Sequence, residues 1–477
     1  MNILIVGNGF DLSHYLPTKY DHFMDVMEAI ESKKLEQPIK DLVNSPFENL
    51  GDLFIKFLQL KKTRNPKTYE MNFDELFRSC RDKKFIQKTK QIYVTDSINM
   101  SFDKIIELQF LLRNNSWYQY FKNHVKEIKT WIDFEQKIEE VLKSISSCID
   151  DIALMNTNKE LFKYFDLTRK DGAKIRENDF NVLEFFSFFK AEEYKKILPS
   201  TGLEDLNRKS IGSRNNINPK FCNGGEIKNG LNQAIYLSFL NDELESFIEI
   251  FNLYISLIIF KLEPRKQLKI KSKIFNLPKD IYSFNYTDTY QRFYITESHV
   301  SYLHGKFGEK QNIVLGVSEL TSESLKKLKA FGFTKYHQKL FKETDYLFID
   351  KYKIQIKEQE QRIRDFERPD KELQRKVFEI KKLLNLNFYI WGHSLDLSDE
   401  DYILDLFSLN DDIDRNVRVT VFYFDKLAKF SLLNNLLAIL KKDKVEQWMK
   451  NKWLTFEPNP EIDFGIREEA SLEKEAS

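Results

Sequence analysis

Cysteine is scarce: there are three in 477 residues, Cys80, Cys148 and Cys222. None forms a C-x-x-C pair, so the sequence gives no basis for a zinc ribbon or a disulfide framework, and a reducing cytoplasm is the expected setting. An excess of one charge is also missing. Lys plus Arg is 74 against 73 Asp plus Glu, which argues against a dedicated nucleic-acid or anionic-membrane binder. No apolar run approaches the ~20 residues of a membrane span, and the first such run, Ile3 to Val6, is too short for a signal-peptide core. His14, His22, His124, His299 and His337 show no metal-ligand spacing, so no metal is expected. No fixed-period repeat is present, which speaks against a solenoid array. Glycine is sparse as well. Of the fifteen, five (Gly202, Gly212, Gly224, Gly225 and Gly230) fall between 200 and 232 among Asn, Ser and Lys, and that segment reads as a mobile loop or lid.

What is present begins at Ile3-Leu4-Ile5-Val6, a β-branched-rich run that suits a strand buried on both faces of a parallel sheet. Gly7-Asn8-Gly9 ends it. Two glycines one residue apart allow a sharp turn whose N–H groups approach a ligand, the arrangement of a phosphate cradle. The third glycine of the dinucleotide fingerprint is absent, since Leu12 stands there. Gly7, Asn8, Gly9, Phe10, Asp11 and Ser13 are the candidate contacts to a nucleotide. For Asp11 and Ser13 the competing role is to cap the helix that follows.

With the helix over Phe23 to Ile30, residues 1–31 form the first piece of an α/β core. Residues 32–277 change texture and read as a helical insertion. In it, Trp131, Phe134, Ile138, Val141, Leu142 and Ile145 share one helix face, and Leu240, Leu244, Phe247, Phe251, Tyr254 and Ile258 share another. The core resumes over 278–445, with strands expected at Ile281–Phe284, Val300–Leu303, Phe388–Trp391 and Val417–Phe424. A charged helical stretch at 325–384 reads as solvated. Residues 446–477 read as a C-terminal tail. Ser398-Asp399-Glu400-Asp401 and Asp133-Phe134-Glu135-Gln136 read as capping boxes.

Four strand-like runs end in small or polar clusters: Gly7-Asn8-Gly9, Asn285-Tyr286, His304-Gly305 and Gly392-His393-Ser394. In an open parallel sheet the carboxyl ends share one edge, and ligands bind in the crevice there. The clusters are therefore expected to meet, joining backbone donors, an amide and an imidazole.

These residues carry a resemblance. Gly7-Asn8-Gly9 through Pro17 and Tyr20, Ser283-Phe284-Asn285-Tyr286, Leu303-His304-Gly305, Gly392-His393-Ser394 through Asp399, and Trp131-Ile132-Asp133-Phe134-Glu135 resemble the AbiH family of phage abortive-infection proteins. That family in turn resembles the sirtuins: the Gly9-to-Pro17 interval, Ser283-Phe284-Asn285-Tyr286, His304-Gly305 and Gly392-His393-Ser394 fall in the sirtuin order. The resemblance implies a sirtuin-like, Rossmann-type parallel sheet that binds NAD. It makes His304 the general base and Asn285 the residue that orients the nucleophile. Gly7, Asn8, Gly9, Phe10, Asp11, Ser13, Ser283, Tyr286, Gly305, Gly392, His393 and Ser394 become contacts to NAD, with His393 on the adenosine side. The implied reaction is hydrolysis of NAD to nicotinamide and ADP-ribose in anti-phage defence. Thr287 stands where a sirtuin has aspartate, which slightly favours a module that binds without cleaving; the sirtuin zinc cysteines are absent, which favours NAD degradation over protein deacetylation. The alternatives are a module that binds NAD or another nucleotide without cleaving it and a toxin or nuclease acting on RNA. Beyond the dinucleotide, a phage-derived trigger or partner protein is expected, and a homo-oligomer is left open. The roles of Trp131, Asp133 and Glu135 are left open too.

Overall fold

The computed structural model describes residues 1–34, 69–124, 131–155, 157, 160, 164–165, 175–189, 217–272, 278–294, 298–364, 384–411 and 413–465. Its organising element is a six-stranded sheet. In chain order the strands are β1 (Asn2–Val6), β2 (Asp280–Ser283), β3 (His299–Tyr302), β4 (Leu386–Trp391), β5 (Val417–Tyr423) and β6 (Leu454–Pro458). They lie in the order β3-β2-β1-β4-β5-β6, and every neighbouring pair is parallel. This is the doubly wound order, in which the chain leaves β1 toward one edge and returns to build the other half from β4 outward.

The register decides where the site falls. Val6 is level with Ser283 on one side and Trp391 on the other, and Ser283 is level with Tyr302. Four strands therefore end together, and the residues after them leave the sheet at one height. The expected convergence holds.

Both faces of the sheet are covered, which explains why β1 reads as an unbroken apolar run. Ile3 and Ile5 join a core with Phe388, Val419, Leu436 and Trp448, under the helices α8 (Glu400–Ser408) and α9 (Lys426–Lys450). Leu4 and Val6 pack on the other face against Phe10, Ile281 and Trp391.

The stretch before β2 is largely helical. Its helices include α3 (Phe102–Asn114), α4 (Ser116–Asn123), α5 (Trp131–Ala153) and α6 (Gln233–Leu257). They are not a free-standing unit. One apolar core runs from α2 (Tyr20–Glu31) through them to Phe333. Phe23 of α2 meets Phe247 and Phe251 of α6 with ring centroids 5.8 and 5.3 Å apart, and Phe134 of α5 lies 5.2 Å from Phe247. Phe134, Ile138, Val141, Leu142 and Ile145 are buried, as their helical spacing requires; the Trp131 side chain lies outside the described residues.

One expectation needs correction. The segment 446–477 holds the end of α9 and the edge strand β6, not only a tail; 466–477 lie outside the described residues. Within the loop at about 200–232, residues 217–232 form short 3₁₀ turns tied to one another, for example by the Asn229 side-chain amide donating to the Asn223 carbonyl at 2.9 Å. The remainder of that loop is outside the described residues.

Candidate active site

The two loops at the switch point, after β1 and after β4, touch backbone to backbone. Gly7 N donates to Trp391 O at 3.0 Å and Gly9 N donates to Gly392 O at 2.8 Å. Gly392 has φ +73, and a Cβ on it would meet Phe10 N at 2.1 Å. A Cβ on Gly7 would lie 2.6 Å from His393 Cα, and one on Gly9 would lie 2.6 Å from Gly392 Cα. The glycines are thus demanded first by loop-on-loop contact. This corrects the cradle expectation, since the N–H groups of Gly9 and Phe10 are bonded to carbonyls of the protein itself. Gly9→Val is accordingly expected to cost stability by overpacking, about 1–3 kcal/mol. Thermal unfolding of the variant checks it, and a midpoint equal to the parent's would contradict it.

Below these loops lies a cavity of about 320 Å³. Gly7, Asn8, Asp11, Asn285, Tyr286, His304, Gly392, His393 and Ser394 line it. Gly9, Phe10, Ser13, Ser283 and Gly305 do not. Phe10 packs into the core against the Trp391 ring, edge-on at 5.0 Å. The Ser13 hydroxyl donates to Gly9 O at 2.7 Å and accepts from the Trp391 indole at 3.2 Å. The Ser283 hydroxyl accepts from Asn285 N at 3.1 Å, so it fixes the turn that presents Asn285. Gly305, at φ +78, makes the turn after His304.

On the β1–β2 side, Asp11 is buried, and one carboxylate oxygen accepts from the Thr287 hydroxyl at 2.6 Å. Burial pushes Asp11 up to about 6 against the hydrogen bonds that favour its charge. The second carboxylate oxygen of Asp11 and the amide oxygen of Asn285 are buried without a hydrogen-bond partner, a condition that a donor-bearing ligand would relieve.

On the opposite side stands a buried charged cluster. Asp399 lies 3.0 Å from His304 Nε2 through Oδ1 and 3.3 Å from His393 Nε2 through Oδ2. His393 Nδ1 accepts from Leu395 N at 2.9 Å, which leaves Nε2 to face Asp399. The His304 contact is close but poorly aligned, and neither its Nε2 nor Asp399 Oδ1 has a hydrogen-bond partner. Lys335 reaches Glu135 at 2.8 Å and Asp399 at 3.6 Å. Burial lowers His304 to about 4, outweighing the pull of Asp399. Burial also opposes the charge on Asp399, but Lys335 and His304 overcome it and hold Asp399 well below the usual carboxylate range. Glu135 is raised to about 7, by burial first and with Lys335 opposing. At neutral pH the site thus holds a neutral imidazole beside an ionised carboxylate.

Ser398 does not serve as the expected cap of α8, because Asp399 holds the N-cap position. The Asp399 side chain makes no capping bond to α8, and the turn before it is capped by Asp396, which accepts from Ser398 N at 3.1 Å. Asp399 and Lys335 were not among the sequence candidates, and no signal singled them out, because Lys335 is one lysine among many in a charged stretch. Glu135 had a faint signal in its Trp-x-Asp-Phe-Glu setting; the Asp133 side chain lies outside the described residues. Among the described residues, no group of three or more His, Cys, Asp or Glu side chains could hold a metal ion, and no helix is long and apolar enough to cross a membrane.

The chain is thus a doubly wound α/β protein with a histidine–carboxylate cavity at the switch point of its sheet. A family model described as Bacteriophage abortive infection AbiH matches residues 3–423. The chain belongs to the AbiH family of abortive-infection proteins. No curated protein and no solved structure gives a significant match.

Proposed function

We propose that this AbiH protein acts in anti-phage defence by hydrolysing NAD to nicotinamide and ADP-ribose at the switch-point cavity, through a site that works like that of a sirtuin. The observation that carries the reading is the His304–Asp399 pair at the carboxyl ends of β3 and its neighbours, facing the crevice where sheets of this order bind dinucleotides. Breaking the bond between nicotinamide and ribose sends the ring away neutral and leaves positive charge on the sugar, so the demand is for a base that delivers water to an oxocarbenium-like centre. His304 takes the proton from water as the new C–O bond forms, and Asp399 stabilises the imidazolium. Asn285, held by Ser283, orients the water. The phosphates lie along Asn8 and Lys19, which line the same cavity. The cavity alone is small for a dinucleotide, but a second space of about 620 Å³ shares Glu135, Lys335, Ser398 and Asp399 with it as a common wall.

The test is to incubate the purified chain with NAD and separate the products. Release of nicotinamide with ADP-ribose is expected, and intact NAD beside folded, NAD-binding protein would leave a sensing module instead. Asn285→Ala is expected to lower kcat far more than it weakens ADP-ribose binding, the mark of an interaction made in the transition state. A large rise in KM at unchanged kcat would make Asn285 a binding residue.

A further inference from the structure

The second space differs in charge from the first. Seven carboxylate residues line it against two lysines, Lys335 and Lys339. Acidic residues alone would mean little on a surface, but two buried features give this wall a direction. One ammonium, Lys335, serves both Glu135 and Asp399, so with both carboxylates ionised the trio retains one negative charge. Asp399, 8% exposed, borders this space as well as the first, with its Oδ1 held 3.0 Å from His304 Nε2 and 3.6 Å from Lys335. Tyr402 adds an aromatic ring to the wall, with the Lys339 ammonium donating to its hydroxyl at 2.8 Å and lying 4.4 Å from its ring centroid.

Resting on the reading of the site as one for NAD, we propose that this second space receives the positively charged pyridinium ring of an oxidised nicotinamide nucleotide, and that Glu135 is the residue that selects it over the reduced form. The two forms differ little in shape and by one unit of charge on the ring. In a partly desolvated space that charge is worth far more than in water, so Glu135 and Asp399 attract the pyridinium and gain nothing from the neutral dihydropyridine. The same wall favours turnover. Once the C–N bond breaks, its electron pair leaves with the ring, the nicotinamide is neutral, and the wall no longer holds it.

Calorimetry on the full chain with carba-NAD and carba-NADH, which bind without being cleaved, reads the preference. The parent is expected to favour the oxidised form by about tenfold or more, and Glu135→Gln to bring the ratio toward one. Ser318→Lys, on an exposed position lining the same space, adds a positive charge without disturbing buried groups and is expected to lower the ratio too. An unchanged ratio in folded Glu135→Gln, an unchanged ratio in Ser318→Lys, or equal affinities in the parent would each overturn the proposal. A parent that shows the preference yet releases no nicotinamide from NAD would uphold ring selection and overturn hydrolysis. A parent that binds neither dinucleotide would overturn both.

Discussion

Changing His304 to alanine is expected to lower nicotinamide release by ~10²–10⁴-fold while the chain stays folded, the usual worth of a positioned base. The expectation rests on geometry and on charge together. His304 leaves the sheet at the level where β1, β2 and β4 also end, and its imidazole is buried beside Asp399 at 3.0 Å. Burial keeps it neutral, with its pKa down at about 4, so at cell pH the ring is unprotonated. His304→Gln, closer in size, separates chemistry from packing: it keeps the volume and loses the base, and it is expected to be as inactive as the alanine variant. Nicotinamide release by either folded variant at the parent's rate would remove His304 from the mechanism.

Lys335→Met is expected to have the largest effect on the fold. Removing one partner of a buried ion pair leaves charge uncompensated and typically costs about 3–5 kcal/mol, and here a single ammonium compensates both Glu135 and Asp399. The deficit has a definite pH sign. Without Lys335 the pKa of Glu135, already raised by burial, rises further and Asp399 loses the partner that does most to hold it down, so stability is retained at low pH and lost as pH rises toward the raised folded values. The unfolding midpoint of Lys335→Met in denaturant is therefore expected to fall further below the parent's in neutral than in mildly acid buffer. Adding Glu135→Gln to the same chain is expected to restore part of the loss. Equal midpoints for parent and Lys335→Met at neutral pH would show that the cluster does not bridge α5 to the core.

The elements that were legible in the sequence share a physical cause. A strand buried on both faces of a parallel sheet needs apolar residues at every position, so Ile3–Val6 declares itself without its neighbours, while Val417–Tyr423, with Arg418 and Thr420 half-buried between buried valines, declares itself by alternation. Their carboxyl ends carry small and polar residues, and that pattern brought Gly7, Asn285, His304 and Gly392 to one edge before any coordinates. The edge strand β6 was not legible. Of Leu454–Pro458 only Leu454 is buried, and the strand ends on proline, so nothing apolar distinguishes it from a tail. The charged half of the site was hidden for a related reason. Lys335 and Asp399 are buried by partners far away in sequence, and local patterning reads Lys335 as part of a solvated face and Asp399 as an interior position of a capping box. The glycines misled in a different way: Gly9 was read as room for a phosphate, when its missing side chain makes room for Gly392.

The most direct measurement is the fate of NAD with the purified chain in isotopically labelled water. The account predicts nicotinamide and ADP-ribose in equal amounts, with one labelled oxygen at the anomeric carbon of each ADP-ribose, because the water activated by His304 supplies that atom. Intact NAD, or ADP-ribose formed without the label, would contradict it.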